Sequence, residues 1–192
     1  MAERKNYIVR RASGPVRLAC DATAWDRADR LAIDEYPWYA GGLKQETTAA
    51  VLYDDEAIYL LYVCEDKHIS AVETAANSNV HLDSCVEFFA SIDPDGHWGK
   101  WGYFNFEANC CGTAKLGFRP GPEWRTLAPD ELVETISVHT SIPTPTKDES
   151  PDDDGWWLAA AIPFAVISQI AGRKIAPKSG THWRANFYRC GG

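Results

Sequence analysis

One segment of the sequence places amide, acidic and phenolic side chains at every second position. In the segment 103–109, Tyr103, Asn105 and Glu107 alternate with phenylalanine and alanine. Because successive side chains of a β-strand point to opposite faces, the pattern predicts a core face and a polar face. Planar amides and carboxylates suit paired hydroxyl groups, which is the chemistry of sugar recognition.

Two further segments carry polar residues of the same kind. Arg184 and Asn186 share the polar face of the segment 182–189, and Glu87 is the lone polar residue of the apolar segment 85–89. A half-buried carboxylate needs a cation or several donors. We expect Arg184 to bind Glu87 through its planar guanidinium, so that Arg184→Ala would cost stability as well as binding. Asn105 is expected at the polar edge of the site, and an ordinary solvent-facing strand surface is the alternative interpretation.

Short strands must position these residues. The strand-like segments are 48–53, 57–64, 85–92, 102–109, 114–118, 134–139, 156–162 and 182–189. A helix is predicted over Pro163–Ala171, with proline in its first turn and Gly172 at its end, and Asp21 is a candidate helix N-cap. The pattern predicts an all-β fold, a two-sheet antiparallel β-sandwich of the jelly-roll or immunoglobulin-like type with one short helix, as a single domain over residues 1–192.

Composition excludes several classes of partner. The net charge of −8 disfavours nucleic acid and anionic membranes, and no apolar run reaches the roughly 20 residues that a membrane span needs. No secretory signal follows Met1, so we expect a cytoplasmic protein, with secretion of a processed chain as the alternative. The six cysteines are expected to be reduced, and none has the spacing of a zinc site.

The segment 93–96, Asp-Pro-Asp-Gly, is a strong turn signal at the end of a predicted strand. We expect Asp93 and Asp95 to act mainly as turn residues. Calcium is the lesser alternative here, since oxygen-rich loops beside strands also bind calcium. No other cofactor is expected.

At these positions the chain resembles the family 9-like carbohydrate-binding proteins. The resemblance rests on Asp-Ser-Cys-Val-Glu-Phe-Phe at 83–89, Tyr-Phe-Asn-Phe-Glu at 103–107, the tryptophan-to-phenylalanine segment 157–164, and Trp-Arg-Ala-Asn-Phe-Tyr-Arg at 183–189. These blocks occur in the family's order and span nearly the whole chain.

The resemblance implies a jelly-roll sandwich that binds polysaccharide ends or short oligosaccharides without catalysis. Some relatives are appended to xylanases, and structural calcium occurs among them. In such proteins a sugar lies between two tryptophans, while residues matching Glu87, Asn105 and Glu107 bond its hydroxyls. Here His81 occupies the first tryptophan's place and the second would lie beyond residue 192. Tryptophans expected to substitute from loops are Trp38, Trp98 and Trp101.

Three alternatives to a carbohydrate-binding module remain open. Glu87 and Glu107 could form the carboxylate pair of a glycoside hydrolase, acting on O-glycosyl compounds. The chain could also be an interaction domain whose sugar site has decayed. A haem-binding relative would need an axial methionine, and the sequence contains only Met1.

Overall fold

A computed structural model describes residues 5–37, 40–96, 102–122 and 125–191, in which the chain forms two facing β-sheets. The strands are β1 (Arg10–Arg11), β2 (Leu31–Ala32), β3 (Thr47–Tyr53), β4 (Ala57–Glu65), β5 (Cys85–Ser91), β6 (Tyr103–Asn109), β7 (Ala114–Arg119), β8 (Thr126–Leu127), β9 (Ser137–Thr140), β10 (Gly155–Pro163) and β11 (Arg184–Cys190). The helices are α1 (Asp130–Val133) and α2 (Phe164–Ala171), and short 3₁₀ turns occupy Thr23–Arg27 and Val80–Leu82.

The two sheets have different strand orders. The first sheet runs β1-β3-β4-β10-β9, with β2 also paired to β3, and the second sheet runs β11-β5-β6-β7-β8. Every pairing is antiparallel apart from that of β1 with β3. This arrangement confirms the predicted two-sheet β-sandwich.

The main core lies between the sheets and follows the predicted strand alternation. Phe88, Phe104 and Phe106 of the second sheet are buried against side chains such as Leu60 and Leu158 of the first sheet. Alternation therefore leaves the opposite side chains of β5 and β6 on the outer face of the second sheet.

A separate apolar cluster covers the outer face of the first sheet. The buried Trp25 packs there against Leu52 and Leu61, and its indole nitrogen donates a 3.1 Å hydrogen bond to the carbonyl oxygen of Ala19. The predicted capping role of Asp21 is wrong, because the 3₁₀ turn has no side-chain cap and the Asp21 carboxylate instead accepts a hydrogen bond from Arg17.

Helix α2 lies where the sequence predicts it. It begins after Pro163, and Gly172 ends it with a φ of 64°, in the left-handed region that glycine adopts readily. The predicted strand 134–139 is correct only in its second half, because Glu134 closes α1 and β9 begins at Ser137. None of the helices in the described ranges is long and apolar enough to span a membrane.

A buried ion pair joins the two sheets at the end of β4. The Asp66 carboxylate lies 2.9 Å from Nη2 of Arg189, on β11 of the second sheet, and the two side chains are 2% and 13% exposed. The indole nitrogen of Trp156, on β10, donates to the same carboxylate oxygen at 2.9 Å. Burial raises the pKa of Asp66, but the hydrogen bond from Trp156 and the charge of Arg189 help to lower it overall. Asp66 is therefore held as a carboxylate.

Candidate functional site

The candidate site is the outer face of the second sheet, where the strand register brings two carboxylates together. Glu87 of β5 lies directly opposite Glu107 of β6. The backbone nitrogen of Cys110 donates to the carbonyl oxygen of Ser84 at 2.7 Å, one pair beyond the end of this ladder. Because hydrogen-bonded pairs alternate along an antiparallel ladder, Glu87 and Glu107 form a non-hydrogen-bonded pair, in which side chains lie closest. Two acidic side chains are thus forced into proximity.

Glu107 anchors a buried hydrogen-bond cluster. Its Oε1 accepts a 2.6 Å bond from Nδ2 of Asn105 and lies 3.1 Å from Nη1 of Arg125. Asn105 is 0% exposed and Glu107 is 3% exposed. The expectation that Asn105 lies at the edge of the site is wrong, since β6 is an inner strand of the sheet and Asn105 lies at its centre.

Positive charge from two residues offsets the carboxylate pair. Lys115 of β7 lies opposite Glu107 and is 5% exposed, while Arg125 lies just before β8. The oxygen Oδ1 of Asn105 is buried and has no hydrogen-bond partner within the described residues. An unsatisfied buried acceptor is costly, so this oxygen is suited to accept a hydrogen bond from a ligand hydroxyl or a water.

Glu87 is the more accessible carboxylate, since its side chain is only half-buried, as the sequence predicts. Burial, followed by repulsion from Glu107, raises its pKa above the ordinary glutamate value. The thiol of Cys190 lies 3.5 Å from Oε1 of Glu87 as a weak donor. Glu87 therefore carries a charge that the fold stabilises poorly.

We expect Glu87→Gln to raise the melting temperature at pH 7 by a few degrees. A carboxyl group whose folded pKa is raised above its unfolded value of about 4.3 binds more protons in the folded state. Stability from this group is then present at low pH and is lost as pH rises through the folded pKa. The difference in melting temperature between the variant and the parent should accordingly disappear below about pH 4.

The measurement is thermal unfolding of both proteins from about pH 3 to about pH 8, with Glu131→Gln, an exposed position in α1, as the matched control. A difference that is constant across this range would contradict the assignment of the raised pKa to Glu87.

The structure separates Arg184 from Glu87, so the predicted pairing of these residues is wrong. Arg184 lies opposite Ser91, four residues from Glu87 along β5, or roughly 13 Å at about 3.3 Å per residue. Its guanidinium instead bonds Asp95 at 2.8 Å, and both side chains are exposed. An exposed pair contributes little, so Arg184→Ala is no longer expected to damage stability.

An aromatic group lies between these two ends of the face. Phe89 stacks on Tyr103 with ring centroids 5.6 Å apart and meets Tyr188 edge-on at 5.3 Å. Asn186 donates a 3.0 Å hydrogen bond to the hydroxyl of Tyr188. Tyr188 itself lies directly opposite Glu87. The face thus combines aromatic rings with acidic and amide groups.

The remaining predicted residues lie at the rim or outside the described residues. His81 is exposed on the 3₁₀ turn Val80–Leu82, which leads into the Glu87 end of β5. Trp38, Trp98 and Trp101 fall outside the described residues. The sequence analysis missed Lys115 and Arg125. Lys115 reaches Glu107 only through the register of β6 with β7, and Arg125 reaches it only through its position just before β8.

The segment 93–96 forms a turn, as expected, with the backbone nitrogen of Gly96 donating to the carbonyl oxygen of Asp93 at 3.2 Å. The carboxylate of Asp93 pairs with Arg173 at 3.0 Å, and Asp95 pairs with Arg184. In the described part of the chain, no group of three or more histidine, cysteine, aspartate or glutamate residues has an arrangement that could hold a metal ion. Both aspartates thus have basic partners.

Fold and face together define a β-sandwich module with a polar outer face suited to hydroxyl groups. The model of Carbohydrate-binding family 9 matches residues 18–192, and the chain belongs to that family. Its function is carbohydrate binding, the function of the family. No curated protein matches the chain in a sequence search.

Solved structures share the fold at low sequence identity. A protein of Bacteroides uniformis ATCC 8492 assigned to carbohydrate binding superposes with a TM-score of 0.78 at 24% identity, over 95% of this chain and 82% of that one. A family 9 module of Caldicellulosiruptor kristjanssonii in complex with cellotriose superposes with a TM-score of 0.58 at 17% sequence identity. The match covers 95% of this chain and 75% of that one. A family 9 module of the same organism in complex with glucose has a TM-score of 0.57 at 16% sequence identity, and the match covers 93% of this chain and 75% of that one.

Proposed function

We propose that the chain binds the ends of polysaccharides, or short oligosaccharides, through the outer face of its second sheet, and that it catalyses no reaction. The observation that carries this proposal is the row formed by Glu87, Glu107 and Lys115 beside Asn105. An outer strand face needs no buried charges for folding, and burying them is costly. A ligand that binds these charged groups would account for their presence on this face.

The row offers the bonds that sugar hydroxyls need. Oδ1 of Asn105 and the carboxylate of Glu87 accept hydrogen bonds, while the ammonium group of Lys115 donates them. Glu87 is half-buried and is met first by a ligand, whereas Asn105 is covered. Arg125 has a partly exposed side chain, and we expect it to move when a ligand hydroxyl reaches Asn105. Tyr103 and Tyr188 supply ring surfaces beside these groups.

A glycoside hydrolase is a weaker interpretation of the same carboxylates. The two carboxyl groups of such an enzyme flank the scissile bond from different sides. Glu87 and Glu107 instead leave the same face of adjacent strands, and Glu107 already accepts bonds from Asn105 and Arg125. Binding therefore fits this geometry better than hydrolysis.

A glycan array, read with and without calcium, tests the proposal. We expect signals on β-linked oligosaccharides or polysaccharide ends, followed by millimolar to micromolar affinity in calorimetry. Release of the aglycone from aryl glycosides would instead identify an enzyme. Failure to bind any glycan would favour an interaction domain with a decayed site.

Gly117→Ala should weaken sugar binding about 3- to 10-fold and lower the melting temperature by about a few degrees, because the buried Asn105 or Arg125 must move. A Cβ atom at Gly117 would lie 2.8 Å from Oδ1 of Asn105 and 2.9 Å from Cδ of Arg125. The methyl group would cover the unpaired acceptor and displace the arginine. Calorimetry with a sugar found on the array measures the change, and Gly121→Ala, whose Cβ meets none of the described residues within 4 Å, is the control. Unchanged affinity in Gly117→Ala would place the ligand elsewhere.

A further inference from the structure

Two of the six cysteines lie opposite each other across a strand pair. Cys190, the last residue of β11, is the register partner of Cys85, the first residue of β5. Cys85 is buried and Cys190 is partly exposed. The described residues include all six cysteines, and the strand pairings align no other two of them. Neither cysteine has a sugar-binding role in the proposal above, although the Cys190 thiol contacts Glu87.

The ladder sets the distance between these cysteines. The carbonyl oxygen of Ser84 accepts a bond from Cys110, the residue after β6, so Cys85, the next residue, directs its backbone groups towards β11. The pair Cys85 and Cys190 is therefore a hydrogen-bonded one, with Cα atoms about 5.5 Å apart. Disulfides most often join residues whose Cα atoms lie about 5.5–6 Å apart. Both thiols are free here, with Cys85 donating to the carbonyl oxygen of Val86 and Cys190 to Glu87, each at 3.5 Å, so both side chains must rotate for the sulfurs to meet.

We propose that Cys85 and Cys190 form a redox pair that closes to a cross-strand disulfide under oxidising conditions. With oxidised glutathione, the Cys190 thiolate attacks one sulfur and releases the first glutathione thiolate. The Cys85 thiolate then attacks the Cys190 sulfur of the mixed disulfide and releases the second. Two protons pass from the protein thiols to the two glutathione thiolates, and the protein loses two electrons to the glutathione disulfide.

The bond would fasten the edge strand β11 to β5. It would close a loop that extends from residue 85 to residue 190, and long loops give the largest restriction of the unfolded chain. Strand β11 also carries Arg184, Asn186 and Tyr188 on the outer face of the second sheet. Oxidation would therefore stabilise the strand that completes this face.

Burial and the charge of Glu87 both slow oxidation of the pair. The Cys190 thiol donates to its carboxylate, and burial together with the charge of Glu87 raises the pKa of Cys190 to about 12. Thiolate is therefore scarce at neutral pH, and exchange is slow. Removing the charge with Glu87→Gln should accelerate disulfide formation several-fold, because thiolate becomes more abundant.

Incubation of the reduced full chain with oxidised glutathione tests the proposal. We expect a mass loss of about 2 Da, a peptide linking residues 85 and 190, and a rise in melting temperature of about 5 °C or more that a reductant reverses. Cys190→Ser should show neither the linked peptide nor the rise, and Cys111→Ser should behave as the parent. A lasting glutathione adduct on Cys190, a different cysteine pair, or six unchanged thiols in the parent chain would overturn it.

Discussion

Replacing Asp66 with asparagine is expected to lower the free energy of unfolding by about 3–5 kcal/mol. The carboxylate is almost fully buried, accepts a hydrogen bond from Trp156 and forms an ion pair with Arg189, each at 2.9 Å. The amide cannot neutralise the guanidinium, so Arg189 would be left as an unpaired charge between the sheets. The melting temperature should fall by about 10 °C or more, measured together with denaturant unfolding.

Two variants separate the charge from other effects. Asp66→Asn combined with Arg189→Met should recover part of the loss, because the uncompensated charge is removed with its partner. Asp21→Asn breaks an exposed ion pair with Arg17 and should cost less than about 0.5 kcal/mol. If Asp66→Asn costs no more than this control, the buried ion pair does not hold the sheets together.

The same ion pair predicts the response of the parent protein to acid. Since the pKa of Asp66 is lowered in the folded state, its contribution to stability is complete above the unfolded value of about 3.9. That contribution is lost as pH falls through the folded pKa. The pKa of Glu87 is raised in the folded state, so its effect on stability becomes more favourable as pH falls. The two carboxylates therefore have opposite effects on the stability of the protein in acid.

The second large effect is expected from Glu87→Gln in sugar binding. Hydrogen bonds to charged groups contribute about 1.5–3 kcal/mol each, so the neutral amide should weaken binding roughly 10- to 150-fold. The same substitution removes repulsion from Glu107 and should stabilise the fold at pH 7. Weaker binding together with greater stability distinguishes a ligand-binding carboxylate from a structural one.

Calorimetry with a sugar identified on the array measures this effect, and Glu131→Gln makes the same chemical change away from the face. Parent-like affinity in Glu87→Gln would show that the carboxylate pair does not contact the ligand. Loss of binding together with loss of stability would indicate a structural role for Glu87 and would also contradict the prediction.

Strand positions could be predicted from the sequence because alternation and turn residues are local signals. Phe88 of β5 and the two phenylalanines of β6 face the core as alternation predicts, and the turn at 93–96 ends its strand as expected. The short strands β1, β2 and β8 were missed, since two residues are too few to show a period. The predicted strand 134–139 began too early because α1 extends to the start of that segment.

The candidate site was only partly predictable. Alternation correctly placed Glu87, Asn105 and Glu107 on one face, together with Arg184 and Asn186. It could not show that Glu107 has Arg125 as its ion partner, because the two residues lie on different segments and no local sequence pattern relates them. The family resemblance indicated the residues but not the cation beside them.

The sequence by itself determined which face of each strand a side chain occupies, because a period of two is a property of the extended backbone alone. Only the tertiary structure decided which residues meet. Pairing of β11 with β5 fixes a register that puts Tyr188 and not Arg184 opposite Glu87, and brings Cys190 to Cys85. Register depends on how two distant segments pack and bond, so no single segment contains it.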